Sequence, residues 1–436
     1  MSQSRAKRLL LVNPCVRDKS FAYAIPRRTP VATVMLAMAT MASDASWEVT
    51  LWDQNLTSVP PSPLDTYRLV VLCMRFFGVD HAQDIARQAH AAGCQVMMQG
   101  YYATFAPEHA LTHADSIIIG EPESSWLGAL QDATRGGLQP TYDGGPAPID
   151  TLPRYDSSWL GPFDEERAFP VEASRGCGFR CAFCIEWRFH DRFRFRPIDD
   201  VLLQLEEANG RFVMFSDINI VSDPQYARDL FDAMAGAGVR WASQADIRIA
   251  HDPALLDAAR ESGCEYLFFG LETISQPTLK SVAKGWAKAP SYIEAIRAVR
   301  TREIGVNGSF IFGLDEDAPD TFARVRDLVM EEGIELPHFL PLTPIRGSQV
   351  RRKLEEEGRM HANHGENLDH HHVYFQPKRS SPEELETQIR DLWREVYAPK
   401  ATRERLRGMT PDRFKLAYLL NTEYRFAIEE TYGPSA

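Results

Sequence analysis

The chain has 436 residues, enough for two or three domains. Hydrophobic residues make up 44% and charged residues 25%, the balance of a soluble globular protein, and no stretch approaches the roughly 18 apolar residues of a membrane-spanning helix. The net charge of -12 argues against nucleic acid as a partner, because phosphate binding needs a basic face.

The N-terminus, Met1 to Arg8, is basic, but the apolar run behind it, Leu9 to Val12, ends at Asn13-Pro14. That is too short for a secretory signal and reads instead as a buried strand. Helical periodicity follows from Thr33 to Ala45, then strands at 47–52 and 67–72. An amphipathic helix at 80–92 is stopped by Gly93, and strands at 94–98 and 116–119 precede a helix at 125–135. Short apolar strands alternating with helices predict a parallel sheet covered on both faces, in a flavodoxin-like doubly wound domain. This first domain is placed at residues 1–140. Glycine and proline then crowd the chain, at Gly144-Gly145-Pro146, Pro148, Pro153 and Gly161-Pro162, and 141–169 reads as an irregular linker.

A second alternating array occupies 170–345. Its expected strands are 170–173, 212–215, 241–244, 266–269, 308–312 and 337–341, with helices in the gaps. Six βα units predict a partial TIM-type barrel, whose chemistry belongs at the C-terminal ends of the strands.

Three cysteines, Cys177, Cys181 and Cys184, stand just past the first of these strands. Their Cys-x3-Cys-x2-Cys spacing suits three irons of a [4Fe–4S] cluster and leaves the fourth iron without a protein ligand. Structural clusters are usually closed by a fourth cysteine, so an open iron points to chemistry. A disulfide needs pairs and would leave one cysteine over. A structural zinc site wants four ligands, usually as two separated pairs; the nearest further candidates, Cys264 and His190, belong to no paired motif. The other cysteines, Cys15, Cys73, Cys94 and Cys264, are scattered singly, which fits a reducing cytosol and a cytoplasmic location.

After 345 the pattern changes to a small helical C-terminal domain, 346–436. A charged helix is expected at 346–359 and a short apolar run at Val373-Tyr374-Phe375. Ser381 as N-cap and Pro382 at the first helical position open a helix to about Tyr397, and another runs from about Pro411 to Thr431. His370-His371-His372 invites a metal reading, but three adjacent side chains cannot face one point in regular structure, so a solvated loop or strand start is expected.

The cysteine loop after a first barrel strand resembles that of the radical S-adenosylmethionine superfamily, with Phe183 completing its Cys-x3-Cys-x-aromatic-Cys form. The whole chain resembles the cobalamin-binding branch of that superfamily. Gln99 to Thr104 is similar to the branch's Gly-Gly-x-x-Ala/Thr turn, and Ala114 to Glu123 to its Ala-Asp-x-(apolar)-Gly-Glu-Gly-Glu signature, with Pro122 replacing a glycine. Phe215 to Asn219 resembles the Asp-rich end of the second barrel strand, and Gly270-Leu271-Glu272 the fourth-strand Gly-x-Glu. Pro341 to Ser348 and the tail from Val373 to Tyr397 resemble the segments that close the barrel and follow it. One departure stands out: the Asp-x-His-x-x-Gly motif that supplies a cobalt ligand is replaced by Asn13-Pro14-Cys15-Val16-Arg17-Asp18, with no histidine.

The resemblance implies three cofactors: a [4Fe–4S] cluster on Cys177, Cys181 and Cys184, S-adenosylmethionine on its open iron, and cobalamin in the first domain. Gly178 and Phe183 are expected beside the cluster and the adenine. Ser216, Asp217, Gln244 and Glu272 end apolar strands, where a buried polar group without a partner costs roughly 1–3 kcal/mol. The ribose and amino-acid parts of S-adenosylmethionine would be those partners, the alternative being turn and helix caps; Arg248, in the following loop, is a weaker candidate. Gly100, Gly120 and Glu121 are the expected cobalamin-domain residues, with Arg75 against the lower face of the macrocycle. The implied activity is methyl transfer to an unactivated carbon or to phosphorus of a small molecule or peptide, with an electron donor of flavodoxin or ferredoxin type. Two alternatives remain: other radical chemistry on the same cluster (ring contraction, cyclisation or aminocarboxypropyl transfer), and a non-catalytic cobalamin-binding protein.

Overall fold

The computed structural model describes residues 7–16, 32–155, 157–160, 167–361 and 368–433. Its first sheet has six parallel strands: β1 (Arg8–Asn13), β2 (Glu48–Asp53), β3 (Leu69–Met74), β4 (Gln95–Gly100), β5 (Ser116–Gly120) and β6 (Thr141–Gly145). Their order is β2-β1-β3-β4-β5-β6. The pleat sends Leu9, Leu11, Leu69 and Val71 toward helices Thr33–Asp44 and Glu123–Arg135. Leu10, Val12, Val70 and Leu72 point the other way, toward helix Val79–Ala91. Both faces are covered, which is why β1 and β3 are unbroken apolar runs. The chain leaves β1 for one side of the sheet and returns in β3 on the other. That reversal opens a crevice beyond the C-terminal ends of β1 and β3, the usual ligand position of a doubly wound sheet.

β6 corrects the linker expectation. Its glycines suggested irregular chain, yet Ile117 to Ile119 pair in register with Thr141 to Asp143 and extend the sheet by one edge strand. Glycine tolerates an edge strand, where only one side is hydrogen-bonded. Further on, Tyr155 is buried, and its hydroxyl donates to the Pro170 carbonyl at 2.9 Å.

The second array holds β7 (Phe169–Val171), β8 (Ser174–Arg175), β9 (Arg194–Phe195), β10 (Val213–Phe215), β11 (Trp241–Gln244), β12 (Cys264–Glu272), β13 (Gly305–Phe312) and β14 (Leu336–Pro341). Six of these form an open parallel sheet in the order β14-β13-β12-β11-β10-β7, the partial barrel expected. Helices follow the strands, and Asp223 and Asp252 cap two of them by accepting backbone N–H bonds ahead of a proline. Phe310, Phe312 and Phe339 pack outward under the helices, Phe312 stacked on Phe322 at 4.2 Å. By period-two alternation, the facing pairs Phe268 with Asn307 and Ser309 with His338 line the lumen.

The C-terminal segment covers the exposed edge of the barrel. Ser381 and Glu384 form a full capping box at the start of helix Pro382–Tyr397. From that helix, Trp393 Nε1 donates to the Phe339 carbonyl at 2.6 Å and the Tyr397 hydroxyl to the Pro337 carbonyl at 2.8 Å. These bonds satisfy carbonyls that edge strand β14 would otherwise leave open. The histidine run is not a solvated loop. Asp369 accepts from the backbone N–H groups of His371 and His372 and pairs with His372 Nδ1 at 2.8 Å. The turn this makes buries His371 and sets the His370 ring 4.2 Å from Phe77 of the first domain.

His338 is buried among Phe268, Trp393 and Tyr424, and burial lowers its pKa from 6.5 to about 4. The unfolded chain binds this proton at pH 6.5 and the folded chain only near pH 4, so stability is lost as pH falls through that window. At pH 5 the loss is about 2 kcal/mol. His338→Gln is expected to shrink the difference between the urea-unfolding free energies at pH 7 and pH 5 by that amount; an unchanged difference would refute the assignment.

Candidate functional site

The cysteine loop leaves β8 and returns in β9, and these two short strands pair antiparallel, Ser174 with Phe195 and Arg175 with Arg194. Two-residue strands carry no readable periodicity, so the clasp was invisible in the sequence. Gly176 opens the loop at φ +92°, where a Cβ would lie 2.5 Å from the Arg192 carbonyl oxygen. Glycine is required there. At Gly178, by contrast, a Cβ would make ordinary contact, 3.5 Å from Ser222 Oγ.

Cys181 is buried, Cys177 and Cys184 are half-buried, and all three thiols are free. Burial raises the pKa of each. Asn219 and Lys284 pull Cys177 the other way, and Lys284 and Trp286 do so for Cys181. Metal ligation requires the thiolates, so these neighbours favour the ligating form. Phe183, between the last two cysteines, packs on the barrel core with its ring 5.8 Å from Lys284 Nζ. The donor set therefore fits a cluster held at three corners.

The strand-end residues divide. Asp217 is only 1% exposed and accepts from the N–H groups of Ala173 and Ser174 and from Ser174 Oγ, at 3.0, 2.5 and 2.5 Å. Burial raises its pKa to about 7 against the pull of these donors. It anchors the chain entering the cysteine loop, the capping alternative to ribose binding. Ser216 Oγ donates to the Val171 carbonyl and lies 3.2 Å from Thr33 Oγ1 of the first domain, which makes it an interdomain contact. Gln244 ends β11 exposed, with its side chain open to the lumen mouth. Glu272 ends β12 at φ +63° and pairs with Lys284 Nζ at 2.7 Å.

Sequence reasoning named Arg248 as a weaker candidate but missed the rest of the layer above the loop. Asn219 and Asp246 exchange two hydrogen bonds at 3.0 Å, and Asp246 holds Arg248 at 2.8 Å. The Arg248 guanidinium lies 4.5 Å above Phe179, which stacks on Trp286 at 3.8 Å. Arg248 thus faces an aromatic pair. Trp286, a tryptophan in a glycine-flanked loop, was the one available signal.

The first domain meets this loop directly. Glu121 is buried and accepts from Arg175 Nη1 and Arg194 Nη1, each at 3.0 Å, from the Ala147 N–H at 2.6 Å and from His190 Nδ1 at 2.8 Å. It clamps the two domains together, a correction to its expected place at the cofactor. Gly100 turns at φ +100°, with a would-be Cβ 2.5 Å from the Met74 carbonyl, and delivers Tyr101 to Glu186 at 2.8 Å, just past Cys184. Gly120 sits behind that turn, its N–H donating to Thr104 Oγ1 at 2.9 Å. Arg75 follows β3 and reaches Asn13 Oδ1 at 3.3 Å, at the crevice between β1 and β3. Asn13, Arg75 and Tyr101 thus rim that crevice on the side facing the cysteine loop. Residues 13–16 of the rim offer no imidazole.

Three free cysteines in one loop at the head of a partial βα barrel, roofed by a doubly wound domain, are the arrangement expected of a radical S-adenosylmethionine protein. Residues 171–329 match the Radical SAM superfamily, a domain that implies a [4Fe–4S] cluster and S-adenosylmethionine as cofactors of a radical S-adenosylmethionine enzyme. The chain is 29% identical over 418 residues to bacteriochlorophyllide d C-12(1)-methyltransferase of Chlorobaculum tepidum, covering 93% of this chain and 91% of that protein. It is 22% identical to hopanoid C-2 methylase of Rhodopseudomonas palustris, covering 93% and 79%. Among solved structures, the methyltransferase TsrM of Kitasatospora setae, with cobalamin and a [4Fe–4S] cluster bound, superposes with a TM-score of 0.71 at 15% identity, over 97% of this chain and 99% of that one. The cobalamin-dependent radical enzyme OxsB gives 0.71 at 14% identity, over 98% and 73%. Among the described residues, no helix is long and apolar enough to cross a membrane.

Proposed function

We propose that the protein is a cobalamin-dependent radical S-adenosylmethionine methyltransferase that methylates an unactivated carbon of a small molecule. The observation that carries this reading is the direct apposition of the crevice rim to the cysteine loop, through the Tyr101–Glu186 bond beside Cys184. When bound, the cluster supplies the electron that cleaves S-adenosylmethionine, and cobalamin carries the methyl group. Cys177, Cys181 and Cys184 hold the cluster, while Gln244 and Glu272 face the S-adenosylmethionine position. Asp217 and the β8–β9 clasp fix the loop's height. The relatives named for methylating chlorin and hopanoid carbons favour a small-molecule substrate over a peptide. The electron comes from a donor of flavodoxin or ferredoxin type.

Anaerobic purification with cobalamin, cluster reconstitution and incubation with methyl-labelled S-adenosylmethionine and a reductant should release 5′-deoxyadenosine and S-adenosylhomocysteine. Neither product from a loaded protein would sink the reading. Deoxyadenosine alone would transfer the protein to non-methyl radical chemistry, and methylthioadenosine to aminocarboxypropyl transfer.

With cobalamin bound at the crevice, the Arg75 cation would keep water from the cobalt. In Arg75→Ala protein loaded with cobalamin, the absorption spectrum is expected to move toward that of the water-coordinated cofactor. An unchanged spectrum removes Arg75 from the cobalt site.

A further inference from the structure

Lys284 is 7% exposed, in a loop that no family motif marked. Its loop is pinned to the cysteines, because the Ala182 N–H donates to the Val282 carbonyl at 2.9 Å. Gln276 braces the same loop from below, donating to the Ala287 carbonyl and accepting from the Ala289 N–H, each at 3.0 Å. Nζ pairs with Glu272 at 2.7 Å, 5.8 Å from the Phe183 ring and 5.3 Å from the Trp286 ring. Gly270 makes the pair possible: a Cβ there would overlap the Glu272 carboxylate and sit 3.0 Å from Nζ. Burial raises the Cys181 pKa, and Lys284 pulls it down while Glu272 pushes it up. Trp286 Nε1 is buried with no hydrogen-bond partner among the described residues and pulls the Cys181 thiol the same way as Lys284.

A buried charge acts on its neighbours with little screening. Three thiolates gather negative charge at this place, and reduction adds one more electron. Charge and hydrogen bonds around the sulfurs set a cluster's potential.

We propose that Lys284, oriented by Glu272 and assisted by the Trp286 N–H, is a positioning residue for charge at the cluster: it raises the reduction potential so that a one-electron donor can reduce it. The proposal rests on Cys177, Cys181 and Cys184 being the cluster ligands. Iron and sulfide analysis of the wild-type chain tests that premise separately.

The experiment is a dithionite titration of the full-length, reconstituted protein without S-adenosylmethionine, followed by electron paramagnetic resonance. Lys284→Met is expected to lower the reduced-to-oxidised ratio at fixed potential at least tenfold, which is 59 mV for a one-electron couple. Lys284→Arg should restore most of the shift. Glu272→Gln should move the potential in the opposite direction, a sign that loss of structure alone would not produce. Trp286→Phe keeps the stack on Phe179, removes the N–H and should lower the potential. If Lys284→Met fails to load, Glu272→Gln and Trp286→Phe carry the test. Loaded variants with the wild-type potential overturn the proposal.

Discussion

Cys184→Ser is expected to purify without a [4Fe–4S] cluster and to yield no detectable 5′-deoxyadenosine. Each cysteine of the triad is expected to own one iron, so loss of any one leaves two protein corners for a cube that already has one open corner. Cys184 is the most sensitive position. Its backbone N–H is bonded to the Cys181 carbonyl at 3.2 Å, so the last two ligands share one turn. Burial also holds the Cys184 thiol far above its ordinary pKa, which metal binding must overcome. Serine, with a much higher pKa, would ligate iron poorly in the same place. Cys94→Ala is the control. Cys94 is buried, but its thiol donates to the Leu64 carbonyl under the first sheet. It should cost a little stability and leave iron and sulfide content intact. If Cys184→Ser retains full iron and sulfide, the triad is not the ligand set.

The triad was legible because three residues at fixed spacing in one loop must come together whatever the rest of the chain does. The alternating sheets were legible for a similar reason, since β1, β3 and β5 are buried on both faces and their sequences carry no polar interruption. What stayed hidden depends on long-range packing. Lys284 lies 100 residues or more from Cys184 in sequence (184 to 284), beyond any local pattern, and its charge becomes meaningful only when Gly270 clears room beside Glu272. Glu121 was misplaced because its motif marks a turn of the first domain, while its partners Arg175, His190 and Arg194 belong to the second. Asp217 sits where a strand-end ligand should be, but only the fold shows its acceptors already taken by Ala173 and Ser174. The β6 strand was hidden by glycines whose tolerance depends on being at an edge.

The interdomain seam should be as fragile as the cluster is indispensable. Arg175 is buried and meets three carboxylates: Glu121 at 3.0 Å, Glu123 at 2.9 Å and Glu172 at 2.8 Å. Removing one member of a buried ion network leaves the others desolvated and unpaired, at a cost of about 3–5 kcal/mol. Arg175→Met therefore should lose that much in urea unfolding, or fail to accumulate as soluble protein. Arg175→Lys keeps the charge but not the fork that reaches three carboxylates, and should lose less. Acid acts on the same seam. Although burial opposes it, His190, Arg194 and Arg175 hold the Glu121 carboxyl well below its usual pKa. Its contribution is present above pH 4.5 and fades as pH falls toward the folded-state value. Arg175 also ends β8 in the β8–β9 clasp, one residue before Gly176 and two before Cys177. Loosening the seam thus moves the cysteine loop relative to Tyr101 and the crevice rim. Arg175→Lys should then keep its iron and still cleave S-adenosylmethionine, while losing methylated product at least tenfold relative to 5′-deoxyadenosine. Equal losses of both would mean that the seam holds the protein together without aligning its two halves.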